Sequence, residues 1–300
     1  MSAFAALKKR LTDTCAQLEL RENEPMSRHT SFRIGGPVRL MALPTTQEQA
    51  VQAVQAAAQV GVEPFFLGNG SNLLVADEGV ERFVIKTSGL RECRAEGTYI
   101  VAQGGIRLAR LAVFAREQGL TGLEFAHGIP GTLGGAVTMN AGAYGGEMAQ
   151  VVRSVTCLYA DGTVREERAF DFGYRRSAFS NGKRMILSAG MELAQGDPAQ
   201  ITARMEQLAA QRQEKQPLEY PSAGSMFKRP EGYFAAALID QCGLKGLQVG
   251  GAQVSEKHAG FVVNRGGATC ADVLALVEQI RNVVLEKTGV ELEMEVKQLR

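Results

Sequence analysis

With 300 residues and 45% hydrophobic content, the chain has room for one large domain or two to three modest ones around a real core, which excludes disorder as the default. A formal net charge of +1, from 33 basic against 32 acidic residues, excludes a global field drawing it to nucleic acid or an anionic membrane, so any bound anion must be met locally. Cys15, Cys93, Cys157, Cys242 and Cys270 are widely spaced, odd in number and without a CxxC pair, which argues against a disulfide framework and a zinc site and suits a reducing cytoplasm.

The N-terminus lacks a basic stretch followed by an uninterrupted apolar core, and no run approaches about twenty apolar residues, so neither a signal peptide nor a membrane span is expected. Phe4, Leu7, Leu11, Cys15 and Leu18 recur at helical spacing and predict an amphipathic helix over 3–20, within a helical N-terminal segment 1–30. A strand over 38–43, a helix over 47–60 ended by Gly61, and strands over 62–67, 83–86 and 99–102 follow. A helix over 106–118 leads into a long glycine-rich stretch. Asp161-Gly162 marks a hairpin between 155–159 and 164–166, and 184–189 returns as a strand. After Gly196-Asp-Pro198 the composition shifts to a charged helix over 199–215, and the domain boundary is placed near 196. Beyond it lie a helix over 234–241, a strand over 261–264, a helix over 271–286 and a final strand over 290–296.

Residues 128–148 hold seven glycines in twenty-one positions, a composition that no helix or strand needs. Glycine clusters where the backbone takes positive φ or comes very close to something large. Bare N–H groups in such turns form an anion-binding concavity suited to a diphosphate, though tight turns alone also account for glycine. A second glycine segment, Gly68-Asn-Gly-Ser-Asn72, follows a strand, and a third, Phe32-Arg-Ile-Gly-Gly-Pro37, sets an arginine beside open backbone donors. None has the dinucleotide fingerprint or a Walker ending, so a nucleotide cofactor held here would use another architecture.

Four segments, His29-Thr-Ser-Phe-Arg-Ile-Gly-Gly36, Gly68-Asn-Gly-Ser-Asn72, Gly128-Ile-Pro-Gly131 and Met139-Asn-Ala-Gly142, closely resemble the FAD-binding loops of the UDP-N-acetylenolpyruvoylglucosamine reductase family, and the resemblance runs from about His29 to the C-terminus. It implies an α+β protein: a two-subdomain FAD-binding fold of the vanillyl-alcohol-oxidase type over 31–196, then a smaller α+β substrate-binding domain over 197–300. It implies non-covalent FAD, with NADPH as co-substrate, and a UDP-sugar substrate. By resemblance the cofactor contacts are Arg33, Gly35, Gly68, Asn69, Gly70, Ser71, Asn72, Gly128, Pro130, Gly131, Gly134, Gly135, Asn140 and Gly142.

The reaction so implied is reduction of an enolpyruvyl double bond conjugated to a carboxylate. It needs a group gripping that carboxylate, a hydride donor and a proton donor. In Gly173-Tyr-Arg-Arg-Ser177 a guanidinium suits the carboxylate; strand alternation would send Arg175 and Arg176 to opposite faces, and the family pattern picks Arg175. It likewise picks Ser225 in Ala223-Gly-Ser-Met-Phe-Lys228 as proton donor, with Ser222 as competitor, and Glu295 over Glu293 in Leu292-Glu-Met-Glu-Val296. Tyr174, Lys228 and Arg229 are expected at the substrate. Against these stand the plain readings: a surface arginine, a Gly-Ser turn and exposed strand carboxylates.

Two departures mark this chain. Phe227-Lys-Arg-Pro230 stands where many relatives have Phe-Lys-Asn-Pro, and the stretch 196–220 lacks the longer variant's substrate-covering loop. His127 and His258 read as packing residues, and three histidines make no metal set. No nucleic-acid, membrane or protein partner is implied. Rival readings are another flavin oxidase or dehydrogenase and a nucleotide-sugar-binding regulator without catalysis.

Overall fold

A computed structural model describes residues 2–300. The chain forms two compact units, each discontinuous in sequence: Met1–Glu22, Arg39–Asn69 and Arg82–Gln211 make the first, Asn23–Val38, Gly70–Glu81 and Arg212–Arg300 the second. The sequence suggests consecutive domains instead. Four of the five divisions fall inside strands Glu19–Pro25, Pro37–Leu43 and Val80–Lys86 and inside the helix Pro198–Lys215, where no change of composition marks them, and the fifth falls between Asn69 and Gly70 in the second glycine segment.

In the first unit, helix α1 (Ala3–Thr14) buries Leu7 and Leu11. It is shorter than the expected 3–20. Thr12 and Thr14 turn their hydroxyls back onto the carbonyls of Lys8 and Arg10 at 3.0 and 2.9 Å, a competition with helix propagation, and Cys15 leaves helical geometry. The chain then extends as Glu19–Pro25, a strand inside the segment expected to be helical. Helix α2 (Gln47–Gln59) starts on Thr46, whose hydroxyl accepts the Gln49 N–H, and buries Ala50, Ala53, Val54 and Ala57 at helical spacing.

A five-stranded antiparallel sheet runs in the order Val164–Glu167, Val152–Tyr159, Arg184–Glu192, Tyr99–Gln103, Cys93–Glu96. The Asp161-Gly162 hairpin is present, with Leu158 opposite Val164 and Gly162 at φ 81°. Ile100, Ala102, Val155, Ala189 and Met191 pack with Leu108, Leu111 and Ala115 of α3 (Leu108–Glu117) and with Leu133, Ala136 and Val137 of α4 (Leu133–Thr138).

That last helix corrects the reading of 128–148 as loop alone. Helix α4 lies inside the glycine stretch, which continues as a small hairpin, Gly142–Ala143 with Gly146–Glu147, and a four-residue helix α5 (Met148–Val151). Gly134 sits in the first turn of α4 because its N–H donates to the Gly104 carbonyl at 2.7 Å. A Cβ there would stand 3.1 Å from that same oxygen. Close backbone approach, rather than turn formation, explains this glycine.

In the second unit, Ser222–Ser225, Phe261–Asn264, Ala252–Val254 and Gln248–Val249 form an antiparallel sheet in that order. After α6 (Pro198–Lys215), the helices α7 (Ala235–Gln241) and α8 (Cys270–Thr288) supply its core, through Leu238, Ile239, Val273, Leu276, Val277 and Ile280. Helix α8 has a capping box between Thr269 and Asp272 and ends on left-handed Gly289. The final strand is Lys297–Leu299, pairing parallel with Leu73–Val75, and 290–296 is not the strand expected. Apolar alternation there is broken because Glu295 and Val296 are both buried.

Candidate active site

The loop 68–72 leaves strand Pro64–Leu67 where Leu67 pairs with Lys86. Gly68 lies against the hydroxyl of Thr132, which a Cβ would meet at 2.5 Å. Gly70 is left-handed at φ 61°, its missing Cβ only 2.3 Å from the His29 carbonyl oxygen, and its own carbonyl accepts the Ser31 N–H. Asn72 serves the fold: Nδ2 donates to the Glu295 carbonyl at 3.4 Å, and the Asn72 carbonyl accepts the Lys297 N–H. Among the described residues, no backbone N–H of 68–72 donates to a protein acceptor. Gly68 and Asn69 belong to the first unit and Gly70, Ser71 and Asn72 to the second, and open backbone donors of this kind suit the oxygens of a diphosphate.

The Arg33 loop in the second unit is held from several sides. Thr30 Oγ1 donates to the Ile34 carbonyl and Asn264 Nδ2 to the Phe32 carbonyl, both at 3.1 Å. Asn264 Oδ1 accepts the N–H groups of Gly266 and Ala268. Gly35 has φ 129°, and a Cβ there would sit 2.7 Å from that of Val75. His29 and Glu24 form a buried pair, Nε2 to Oε1 at 2.8 Å.

In the first unit the long glycine stretch is organised by Thr132, whose hydroxyl caps α4 by accepting the Gly135 N–H. The Gly131 carbonyl accepts the Leu108 N–H at 3.0 Å. Pro130 and Gly135 are exposed and Gly128 half-buried. Gly142 belongs to the hairpin, where a Cβ would stand 2.8 Å from the Gly146 oxygen. Asn140 is buried, and its amide bonds both the Gly173 carbonyl and the Ala149 N–H.

Gly173 opens the turn that carries Tyr174 and Arg175, closed by paired backbone bonds between Gly173 and Arg176. Arg175 is half-buried and lies 5.6 Å from the exposed Tyr174 ring, whereas Arg176 is exposed. Arg175 has φ 55°, and a left-handed arginine costs on the order of 1–3 kcal/mol. Among the described residues six non-glycines have positive φ, and Arg33, Asn140 and Arg175 are three of them. Such strain gathers where neighbouring structure over-determines the backbone, often at functional sites.

In the second unit, residues 226–228 run antiparallel beside 293–295. The Glu295 N–H donates to the Met226 carbonyl at 2.8 Å, Phe227 bridges to Met294, and the Lys228 N–H donates to the Glu293 carbonyl at 2.9 Å. This sets Met226 opposite Glu295, with Ser225 the next residue along the same segment. Ser225 pairs with Phe261, after a register shift that separates it from Ser222, at left-handed Gly224. The two glutamates do not share an environment, as strand alternation would have had it: Glu295 is buried and Glu293 exposed. Lys228 is ion-paired to Glu293, whose carboxyl is held below its ordinary range by that hydrogen bond. The Arg229 guanidinium sits 4.3 Å over the Phe234 ring.

Both remaining histidines have pKa values lowered chiefly by burial. His258 Nδ1 accepts the Gly260 N–H at 3.1 Å, and its ring stands edge-on to Phe261. Among the described residues no helix is long and apolar enough to cross a membrane. Sequence reasoning passed over Thr132, Asn264 and Ser177, the groups that hold these loops. Thr132 carried a legible signal, since a threonine one residue ahead of an apolar run is a helix start.

Residues 38–167 match the family described as FAD binding domain, and 216–299 match the C-terminal domain of UDP-N-acetylenolpyruvoylglucosamine reductase. The chain is 47% identical over 293 residues to a UDP-N-acetylenolpyruvoylglucosamine reductase of Caldanaerobacter subterraneus, covering 97% of each, and 48% identical over 277 residues to one of Clostridium botulinum, covering 92% of this chain and 90% of the other. A crystal structure of UDP-N-acetylenolpyruvylglucosamine reductase from Thermus caldophilus superposes with a TM-score of 0.81 at 35% identity, covering 95% of this chain and 99% of that one. Identity at this level over nearly the full length of both partners, with family models matched over both parts of the chain, establishes that the chain belongs to the UDP-N-acetylenolpyruvoylglucosamine reductase family.

Proposed function

We propose that the protein is an FAD-dependent, NADPH-using oxidoreductase that reduces the enolpyruvyl double bond of UDP-N-acetylglucosamine enolpyruvate, giving UDP-N-acetylmuramate for peptidoglycan synthesis. The observation that carries this reading is the adjacency of the Ser225 and Glu295 segments, with Glu295 buried and Glu293 turned away to Lys228. Bound FAD, held non-covalently, supplies the hydride, which it takes from NADPH.

The protein's own groups do the rest. Arg175 grips the substrate carboxylate, whose negative charge grows as hydride reaches the methylene carbon and the electron pair moves toward the carboxylate-bearing carbon. The Ser225 hydroxyl gives its proton to that carbon, which is basic enough for so weak an acid. Glu295, shielded from water, stabilises the charge-delocalised intermediate as a hydrogen-bonding carboxyl. Tyr174 and Arg229 present exposed surface to the UDP-sugar, and Lys228 is available to its phosphates only by leaving Glu293. Five free cysteines suit a cytoplasmic enzyme.

The test is the absorption spectrum of the purified protein, followed by bleaching with NADPH and recovery on adding the enolpyruvyl sugar. A colourless protein, or a flavin that the sugar fails to reoxidise, overturns the reading. Acid precipitation checks the non-covalent assignment, since it should leave all the flavin in the supernatant.

A further inference from the structure

Asn140 follows the C-terminal end of α4, is 4% exposed and lies in the left-handed region at φ 42°. Its Nδ2 donates to the Gly173 carbonyl at 3.2 Å, and its Oδ1 accepts the Ala149 N–H at 2.9 Å. The reverse orientation would face oxygen with oxygen and N–H with N–H, so the chemistry of the two partners dictates how the amide points. Gly173 is the first residue of the turn in which Arg175 stands third, and its carbonyl also accepts the Arg176 N–H at 3.3 Å. At the far end of the turn, Ser177 Oγ and Ser180 Oγ both donate to the Thr138 carbonyl, at 2.8 and 3.0 Å. The turn is thus fastened at both ends to the end of α4. Between those fastenings Arg175 holds φ 55°, in a turn position that glycine or asparagine ordinarily fills when φ is positive.

We infer that Asn140 is a positioning residue for Arg175, holding the turn through the Gly173 carbonyl in the conformation that presents the guanidinium, and that its amide serves this turn instead of the cofactor. The functional half of this inference rests on the reading of Arg175 as the carboxylate-gripping group. Its geometric half stands on the two hydrogen bonds.

Asn140→Asp in the FAD-loaded full chain separates the possibilities. Aspartate tolerates the left-handed backbone and keeps an oxygen for Ala149, but it replaces the donor to Gly173 with a second acceptor facing a carbonyl. Amide hydrogen exchange at Arg176 should speed up tenfold or more, on the order expected of local opening. Flavin content and the rate of bleaching by NADPH should stay within about twofold of the parent, while reoxidation by the enolpyruvyl sugar slows roughly ten- to hundredfold, the scale of a misplaced catalytic group. In an Arg175→Ala background the same substitution should slow reoxidation no further. Unchanged exchange at Arg176 overturns the inference whatever the rates. Flavin loss with equal slowing of both half-reactions returns Asn140 to the cofactor, and full additivity with Arg175→Ala shows that it does not act through Arg175. If Arg175→Ala alone reoxidises at the parental rate, the role proposed for Arg175 fails, and Arg176 exchange still decides the geometric half. Should the aspartate variant misfold, Asn140→Gly suits the backbone, removes both bonds and carries the same expectations.

Discussion

Each residue proposed for the chemistry has a neighbour of the same type in a different setting, which makes paired substitutions informative. Ser225→Ala should leave NADPH bleaching intact and slow reoxidation by the sugar by roughly a hundred- to ten-thousand-fold, the contribution of a general acid; stopped-flow traces of the two half-reactions check it, and equal damage to both would make Ser225 structural. Glu295→Gln should slow reoxidation less than Glu295→Ala, because an amide still donates a hydrogen bond. Glu293→Gln should leave it near the parental rate, since Glu293 is an exposed partner of Lys228. Arg175→Lys keeps the charge but loses the two-pronged fit, so reoxidation should lose about 2–4 kcal/mol of transition-state stabilisation. Arg175→Gly removes the left-handed strain together with the guanidinium. It should raise stability by about 1 kcal/mol in denaturant titration while abolishing the gain in rate. A parental rate in the lysine variant would move attention to Arg176.

At the scale of elements, the glycine loops are tied to their supports by contacts that admit no side chain. Gly70 and Gly97 have nearly the same positive φ, 61° and 58°, but a Cβ at Gly70 meets the His29 oxygen at 2.3 Å, while one at Gly97 meets nothing within 4 Å. Gly97→Ala should therefore cost about 1 kcal/mol from backbone strain alone, and Gly70→Ala distinctly more, with loss of flavin. Urea titrations and flavin content of the two variants make the comparison. Equal losses would mean that the 68–72 loop moves aside freely. Thr132→Val, which keeps shape and loses the cap on α4, should cost about 1 kcal/mol.

Over the whole molecule, the free thiols report burial. Burial pushes the Cys157 thiol up to about 12 and, with Asp77 nearby, Cys270 up to about 11, while Cys93 is only half-buried. A raised pKa leaves little reactive thiolate at pH 8, on the order of one part in ten thousand for Cys157. A disulfide reagent at that pH should modify Cys93 first in the native protein and all five thiols in denaturant; Cys157 reacting as fast as Cys93 would show the first unit opening readily.

The sequence alone carried what local backbone physics demands. The glycines of 68–72, the Asp161-Gly162 hairpin and the amphipathic faces of α2 and α8 were legible because each depends on a residue's own conformational range or on a repeat within one element. The choice of Arg175 over Arg176, and of Glu295 over Glu293, came from resemblance, and the protein gives each pair distinct settings only by tertiary contacts. Residues 226–228 lie beside Glu295, and the turn of Arg175 is bonded at both ends to residues at the end of α4. The helix inside the glycine stretch, the early stop of α1 and the shift of the last strand to Lys297–Leu299 were likewise out of reach. Each turns on a partner distant in sequence or on a side chain choosing one backbone acceptor over another, and neither leaves a period in the chain: Gly134 is glycine because of Gly104, and Asn72 ties its loop to Glu295 and Lys297 across more than two hundred residues.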